Sequence, residues 1–287
     1  MNLASPKAVK QILARHDIKP SRGLGQNFLV DRHAVRRLVV ASQIQPDDTI
    51  LEIGPGIGTL TQELAQRAKR IVAIEKDRRM IEILKETLAE FPDVEIVHED
   101  VLKFQVSSLK SQTNPKSQNY KVVANLPYYI TAPIIRKFLE SEEVGLQRKE
   151  ARLRSMAFII QKEVAQRICA KPPDMSILAV SVQIYATPKI ISFIKKSAFW
   201  PQPKVDSAIL QIIPFSTPYP LDFHRFFRIV KAGFKQPRKQ LVNNLSQGLN
   251  LSRQKTEAWL LQSNIQPTQR AETLSIQDWI NLANMLQ

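Results

Sequence analysis

The chain has 287 residues, 44% of them hydrophobic, enough for one large domain with a smaller second one. Its single cysteine, Cys169, excludes an internal disulfide and a Cys-rich zinc site; the four histidines sit at no metal-ligand spacing; no apolar run approaches the roughly 18 residues of a membrane span. Forty-one basic residues against 26 acidic ones give a net charge of +15, carried by the ends: +6 over residues 1–40, −2 over 41–150 and +11 over 151–287. That balance suits a polyanionic partner, most often nucleic acid, although a basic protein without such a partner has the same composition.

Residues 3–18 place Leu3, Val9, Ile12 and Leu13 at helical spacing between Lys7, Lys10 and Arg15. No continuous apolar stretch marks a secretory signal there, so a basic helical arm and a cytoplasmic protein are expected. Strands are expected at Thr49–Ile53, Arg70–Ile74, Val94–Val97, Lys121–Ala124 and Ser155–Ile160. Helices are expected at Thr59–Arg67, Arg78–Glu90, Thr131–Leu139 and Lys162–Ala170. This alternation argues a parallel sheet covered on both faces. Ile190–Ile194 and Ser207–Ile213 are candidate edge strands, Ser107–Asn119 a polar loop, and Pro214–Pro220 a proline-rich linker. After the linker only helices are expected, over Phe223–Phe234, Pro237–Leu249, Ser252–Ser263 and Ile276–Leu286.

The first strand ends in Glu52-Ile53-Gly54-Pro55-Gly56-Ile57-Gly58. A dinucleotide fingerprint would need glycine where Thr59 stands. An ordinary glycine-rich turn would also fit, but the strand ends that follow favour a ligand. Glu75, 21 residues after Gly54, ends the second strand and is placed to accept from ribose hydroxyls. Asp100 follows the third strand and can accept from an adenine amino group; Asn125 follows the fourth. Glycines and polar residues recurring at successive strand ends suit a nucleoside cofactor without a pyrophosphate. S-adenosyl-L-methionine meets that description and NAD does not.

Asn125-Leu126-Pro127-Tyr128 suits methylation of an exocyclic adenine amine. That nitrogen's lone pair is delocalised into the ring. Acceptors at the Asn125 side chain and the Leu126 carbonyl, directed at its N–H groups, would favour pyramidalisation and free the lone pair. Pro127 fixes the turn, and Tyr128 offers a face for stacking the base, worth roughly 1–3 kcal/mol. Positioning and electrostatics would carry the catalysis, with no charged base. A plain strand-to-helix turn uses the same residue types.

Ser21–Leu29 (SRGLGQNFL), Glu52–Gly58 (EIGPGIG), Asn125–Ile130 (NLPYYI) and Phe199–Ser207 (FWPQPKVDS) together resemble the ribosomal RNA adenine dimethyltransferases, in their small-subunit branch. The resemblance runs from about residue 7 to the end. It implies a Rossmann-like class I methyltransferase fold, α/β with a mostly parallel seven-stranded sheet, plus a small all-helical C-terminal domain. The implied domains are a basic arm with a cofactor-closing segment (1–40), a catalytic domain (41–214) and an RNA-binding helical domain (221–287). Asn27, Leu29, Gly54, Gly56, Glu75, Asp100 and Asn125 are the implied cofactor contacts. Asn125, Leu126, Tyr128 and Phe199 would meet the target base, Phe199 as a second stacking surface if it is not core. Lys204, Asp206 and Ser207 read as structural. No metal or membrane is implied.

The implied reaction moves methyl groups to two adjacent adenosines near the 3′ end of 16S rRNA in an assembling small subunit, with the enzyme acting as a monomer. Alternatives are a large-subunit enzyme of the macrolide-resistance type, a non-catalytic assembly factor and a DNA adenine methyltransferase. The pattern departs from the family at Pro237-Arg238-Lys239, where adjacent arginines are usual, and in the length of the Ser107–Asn119 loop.

Overall fold

A computed structural model describes residues 3–21, 23–106, 118–143, 151–217 and 219–286. At the N-terminus, Ser5 caps α1 (Pro6–Arg15) by accepting from the Ala8 N–H, and Pro6 opens the helix where a missing N–H costs nothing. The basic arm is not loose. Val9, Ile12 and Leu13 are buried in a cluster with Phe28, Ile57, Met80 and Ile83. Arg15 and His16 both meet Glu86, at 2.7 and 2.8 Å. The chain then forms the two-residue strand β1 (Phe28–Leu29) and the helix α2 (Arg32–Ala41), capped by Asp31.

The alternating middle folds as its periodicity predicts: β2 (Thr49–Ile53), α3 (Thr59–Ala65), β3 (Arg70–Glu75), α4 (Arg78–Thr87), β4 (Val94–His98) and β5 (Gln118–Asn125). α5 (Thr131–Glu143), β6 (Ala151–Gln161) and α6 (Lys162–Ile168) follow. Then come α7 (Ile177–Gln183), β7 (Ala186–Ile194), β8 (Phe199–Trp200) and β9 (Ser207–Pro214). The Ser107–Asn119 loop falls outside the described residues up to 117; Gln118 and Asn119 already pair with β6 as the start of β5.

Among the described residues the main sheet has seven strands in the order β4-β3-β2-β5-β6-β9-β7. β2 pairs in parallel with both β3 and β5, and β5 in parallel with β6. The strand order therefore reverses between β2 and β5, the switch point beside which open α/β sheets bind ligands. One expectation needs correction. β9 is no edge strand: it pairs antiparallel with β6 and separates it from β7, with Ser207 through Ile212 all buried. Its run Ala208–Ile212, apolar except for the buried Gln211, is the pattern of a strand covered on both faces. The small second sheet joins β1 to β8, with Leu29 opposite Phe199 and Phe28 opposite Trp200.

Contacts divide the chain into two compact units: Met1–Ala165 with Pro188–Pro214, and Gln166–Thr187 with Phe215–Gln287. The N-terminal segment belongs to the first. Residues 166–187, expected in the catalytic domain, belong to the second for visible reasons. The Met175 N–H donates to Glu272, the Phe215 N–H donates to the Tyr185 carbonyl, and Tyr185 stacks on Phe223 with ring centroids 5.0 Å apart.

The second unit continues with α8 (Phe223–Gly233), α9 (Leu241–Leu249), α10 (Arg253–Gln262) and α11 (Ile276–Met285). Pro237 does not lie in a helix as expected. It sits in the turn before α9, where Asn244 donates its side-chain amide to the Gly233 and Gln236 carbonyls. Gly248 lets α9 approach α8 closely: a Cβ added there would stand 2.6 Å from the Ala232 Cβ. Gly248→Ala is expected to destabilise the protein by roughly 1–3 kcal/mol through overpacking, read as a lowered denaturation midpoint at unchanged m-value.

Candidate active site

A cavity of about 290 Å³ opens at the C-terminal ends of β2, β3 and β5, with the Leu24–Leu29 segment as one wall. Its floor is the glycine loop. Gly54 and Gly56 have φ of 64° and 61°, a region that penalises any side chain with a Cβ. A Cβ on Gly54 would meet nothing within 4 Å, so the backbone there borders open space that a side chain would fill. Gly56 instead lies under the Phe28 ring, 3.3 Å from the position of an added Cβ, which seats the wall on the floor. The expected cofactor residues Asn27, Leu29, Gly54, Gly56, Glu75, Asp100 and Asn125 all line this cavity.

Glu75 closes β3 and is 8% exposed. Its carboxylate accepts from the Asp77 N–H at 2.8 Å and the Gly56 N–H at 3.3 Å, which fixes it while leaving lone pairs for a ligand. Burial raises its pKa above the ordinary carboxylate value. Asp100 accepts from the Leu102 N–H at 3.0 Å and pairs with Lys76 at 2.8 Å, and the hydrogen bond from Lys76 leads in holding its carboxyl below the usual range. One further acid was not singled out as a site residue. Glu52 lines the cavity at 1% exposure, and its Oε2 has no hydrogen-bond partner among the described residues. The signal was legible: an acid within a buried strand, two residues before Gly54, is costly unless something meets it.

The Asn125 turn lies on the other side of the cavity. The Asn125 Nδ2 donates to the Asn27 carbonyl at 3.0 Å. Its Oδ1 and the Leu126 carbonyl take no hydrogen bond among the described residues. The Leu126 N–H donates to the Ile159 carbonyl of β6 at 3.1 Å, tying the turn to the sheet. Pro127 has φ −58° and leads into the single 3₁₀ turn Tyr128–Ile130. The half-buried Tyr128 is held by its hydroxyl, 2.8 Å from the Ser207 Oγ at the start of β9. Burial raises the phenol's pKa, so it stays neutral. The KVDS stretch thus has a definable part: Ser207 anchors Tyr128, and Asp206 holds the Lys196 N–H at 2.9 Å ahead of β8.

Phe199 is the one expected site residue that the structure does not bring to the cavity. It is 3% exposed and packed in the main core with Leu29 and Ala198. Pairing with β1 turns its ring inward, so it has no free face for a base. Tyr129, 56% exposed at the cavity mouth, was overlooked because it reads as a repeat of its neighbour. Among the described residues no cluster could hold a metal ion, and no helix is long and apolar enough to cross a membrane.

A parallel sheet that reverses its strand order at a glycine loop, with acids closing the next two strands, defines a class I methyltransferase. The cavity fits S-adenosylmethionine: Glu75 and Asp100 offer acceptors for its ribose hydroxyls and adenine amine, and the glycine floor leaves room for it. Residues 3–287 match the family model described as ribosomal RNA adenine dimethylase. The ribosomal RNA small subunit methyltransferase A of Alkaliphilus oremlandii is 42% identical over 99% of this chain and 98% of that protein. The protein of the same name from Geobacillus kaustophilus is 39% identical over 99% of this chain and 97% of its own. Among solved structures, the 23S rRNA methyltransferase ErmE superposes with a TM-score of 0.69 at 26% identity, covering 91% of this chain and 99% of that one. A dimethyladenosine transferase from Plasmodium falciparum also gives 0.69, at 23% identity over 88% and 94%, and supports the fold. The chain belongs to the ribosomal RNA adenine dimethylase family and is an S-adenosylmethionine-dependent rRNA adenine dimethyltransferase.

Proposed function

We propose that the chain dimethylates two adjacent adenosines in the 3′-terminal loop of 16S rRNA, as a monomer, on an assembling small subunit in the cytoplasm. The observation that carries the reaction is the Asn125 turn, whose Oδ1 and neighbouring Leu126 carbonyl have no partner among the described residues and stand at the edge of the cofactor cavity. Bound S-adenosylmethionine supplies an electrophilic methyl group on sulfur. Every other part falls to the chain. Glu75, Asp100, Asn27, Leu29 and the Gly54–Gly56 floor bind and orient the cofactor. The Asn125 Oδ1 and the Leu126 carbonyl accept from the target amine's N–H groups and turn its lone pair toward the cavity. Tyr128, held by Ser207, takes the flipped base on its ring. The proton is released without a charged base, because the amine is cationic once it has taken the methyl group and in that form is a strong acid.

A general property of RNA supports RNA over DNA, and the relatives support the small subunit over the large. RNA loops present unstacked bases that a pocket can take at little cost. Relatives named for the small subunit reach 42% identity, against 26% for the 23S enzyme. The test is transfer of labelled methyl groups to unmethylated small and large ribosomal particles, followed by nucleoside analysis. Dimethyladenosine from the small particle alone is expected. Label in the large-subunit RNA would overturn the substrate, and label in neither, with cofactor bound, would leave a non-catalytic assembly factor.

A further inference from the structure

The wall segment raises a question that the cofactor contacts do not answer. Residues 24–29 line the cavity between two anchored ends, α1 before them and the β1–β8 pair at their close. The segment has little regular structure of its own before β1. Its positioning rests on a few side-chain hydrogen bonds. One is the Asn125 amide on the Asn27 carbonyl. The other runs through Gln26. The Gln26 Oε1 accepts from the Ser21 N–H at 2.8 Å, closing the loop on itself. The Gln26 Nε2 donates to the Asp77 Oδ2 at 2.9 Å, tying the loop to the start of α4.

Asp77 is built to receive it. The residue is 7% exposed, and its other ties are to Arg79: the backbone N–H at 3.1 Å, and the guanidinium at 3.0 and 2.7 Å. Those bonds, led by the Arg79 side chain, hold its carboxyl below the ordinary carboxylate range, so it stays ionised. The Asp77 N–H donates in turn to Glu75 at 2.8 Å. The same short turn therefore orients the acid proposed to bind the ribose and clamps the wall beside it. A hydrogen bond from a neutral amide to a buried carboxylate is among the stronger ones a protein makes.

We propose that Gln26 and Asp77 form a latch, a positioning pair that holds the 24–29 wall against the cavity and sets how slowly the cofactor leaves. The pair touches neither target base nor transferred group. Its effect is on residence time, because opening the wall for release breaks this bond. The proposal rests on the reading of the cavity as the cofactor site.

The test measures association and dissociation rates of S-adenosylhomocysteine by stopped-flow displacement, on the full chain. Gln26→Glu sets a second carboxylate against Asp77 and is expected to raise the dissociation rate at least about tenfold, with the association rate within about threefold. Gln26→Ala, which adds no charge, is expected to raise it less, in the same direction. The exchange Gln26→Glu with Asp77→Asn restores an amide-to-carboxylate bond with its polarity reversed. It is expected to return the dissociation rate to within about threefold of the wild type. A merely structural role would not be rescued by that exchange. A dissociation rate unmoved by Gln26→Glu and Gln26→Ala, or no recovery in the exchange variant of normal denaturation midpoint, would overturn the latch. Failure of the unaltered protein to bind the ligand at all would overturn the cavity assignment, and the latch with it.

Discussion

Asn125→Ala is expected to lower the single-turnover rate of methyl transfer by roughly 10²–10³-fold, the cost of removing one preorganised partner from a developing charge. The reason lies in how the side chain divides its work. Its amide donates to the Asn27 carbonyl at 3.0 Å, which leaves Oδ1 as the end available to the amine. Alanine loses the acceptor and also frees one tie on the wall segment. The second effect falls on the cofactor, so binding of S-adenosylmethionine by calorimetry is expected to weaken by about tenfold or less, since the Gln26 tie to Asp77 remains. A rate loss much larger than the binding loss would place the main role of Asn125 at the amine. A rate loss below about tenfold, or one matched by equal loss of cofactor affinity, would remove it from the reacting atoms and leave it as a wall anchor.

Much of this architecture was legible because the middle of the chain keeps its periods cleanly. TILEI and RIVAI read as strands and are strands, and Gly54 after the first and Glu75 after the second both line the cavity at the strand ends. Reading was harder wherever a residue's role depends on a partner far along the chain. Phe199 carries a motif that suggests an exposed aromatic, yet pairing with Leu29, 170 residues earlier, turns it into the core. Ser207 reads as part of a structural stretch and proves to anchor Tyr128 across 79 residues. Nothing local marks Gln26 as a partner of Asp77, 51 residues on. Residues 166–187 were misassigned for the same reason, since Tyr185 finds its stacking partner only at Phe223. Periodicity reports which face of an element is buried; it does not report what the face is buried against.

Glu52→Gln is expected to make the protein more stable at neutral and alkaline pH, by an amount that grows with pH. Burial pushes the Glu52 carboxyl up from an ordinary value of 4.5 to about 8, with the charge of Glu75 adding to the rise. The nearby Thr61 hydroxyl opposes the shift, yet both it and Oε2 lack a regular hydrogen bond. Below about pH 4.5 the group is protonated in folded and unfolded chains alike, and its ionisation costs nothing. Between 4.5 and about 8 the unfolded chain gives up its proton while the folded chain keeps it, so stability falls as pH rises. Above about 8 the folded form ionises too, and the loss reaches its limit, as much as ~5 kcal/mol at 1.36 kcal/mol per pH unit. Glutamine has the same shape and no proton to lose, so it escapes this cost. Urea unfolding of both proteins at intervals from pH 4 to 9 isolates the effect. Asp77, Asp100 and Asp222, whose carboxyls are held low and act with the opposite sign, are common to both and largely cancel in the difference. The stability of the wild type relative to the variant should decline steadily across that window. Parallel profiles would mean that Glu52 is ionised in the folded protein at ordinary pH, its charge met by a cation or water beside the glycine loop.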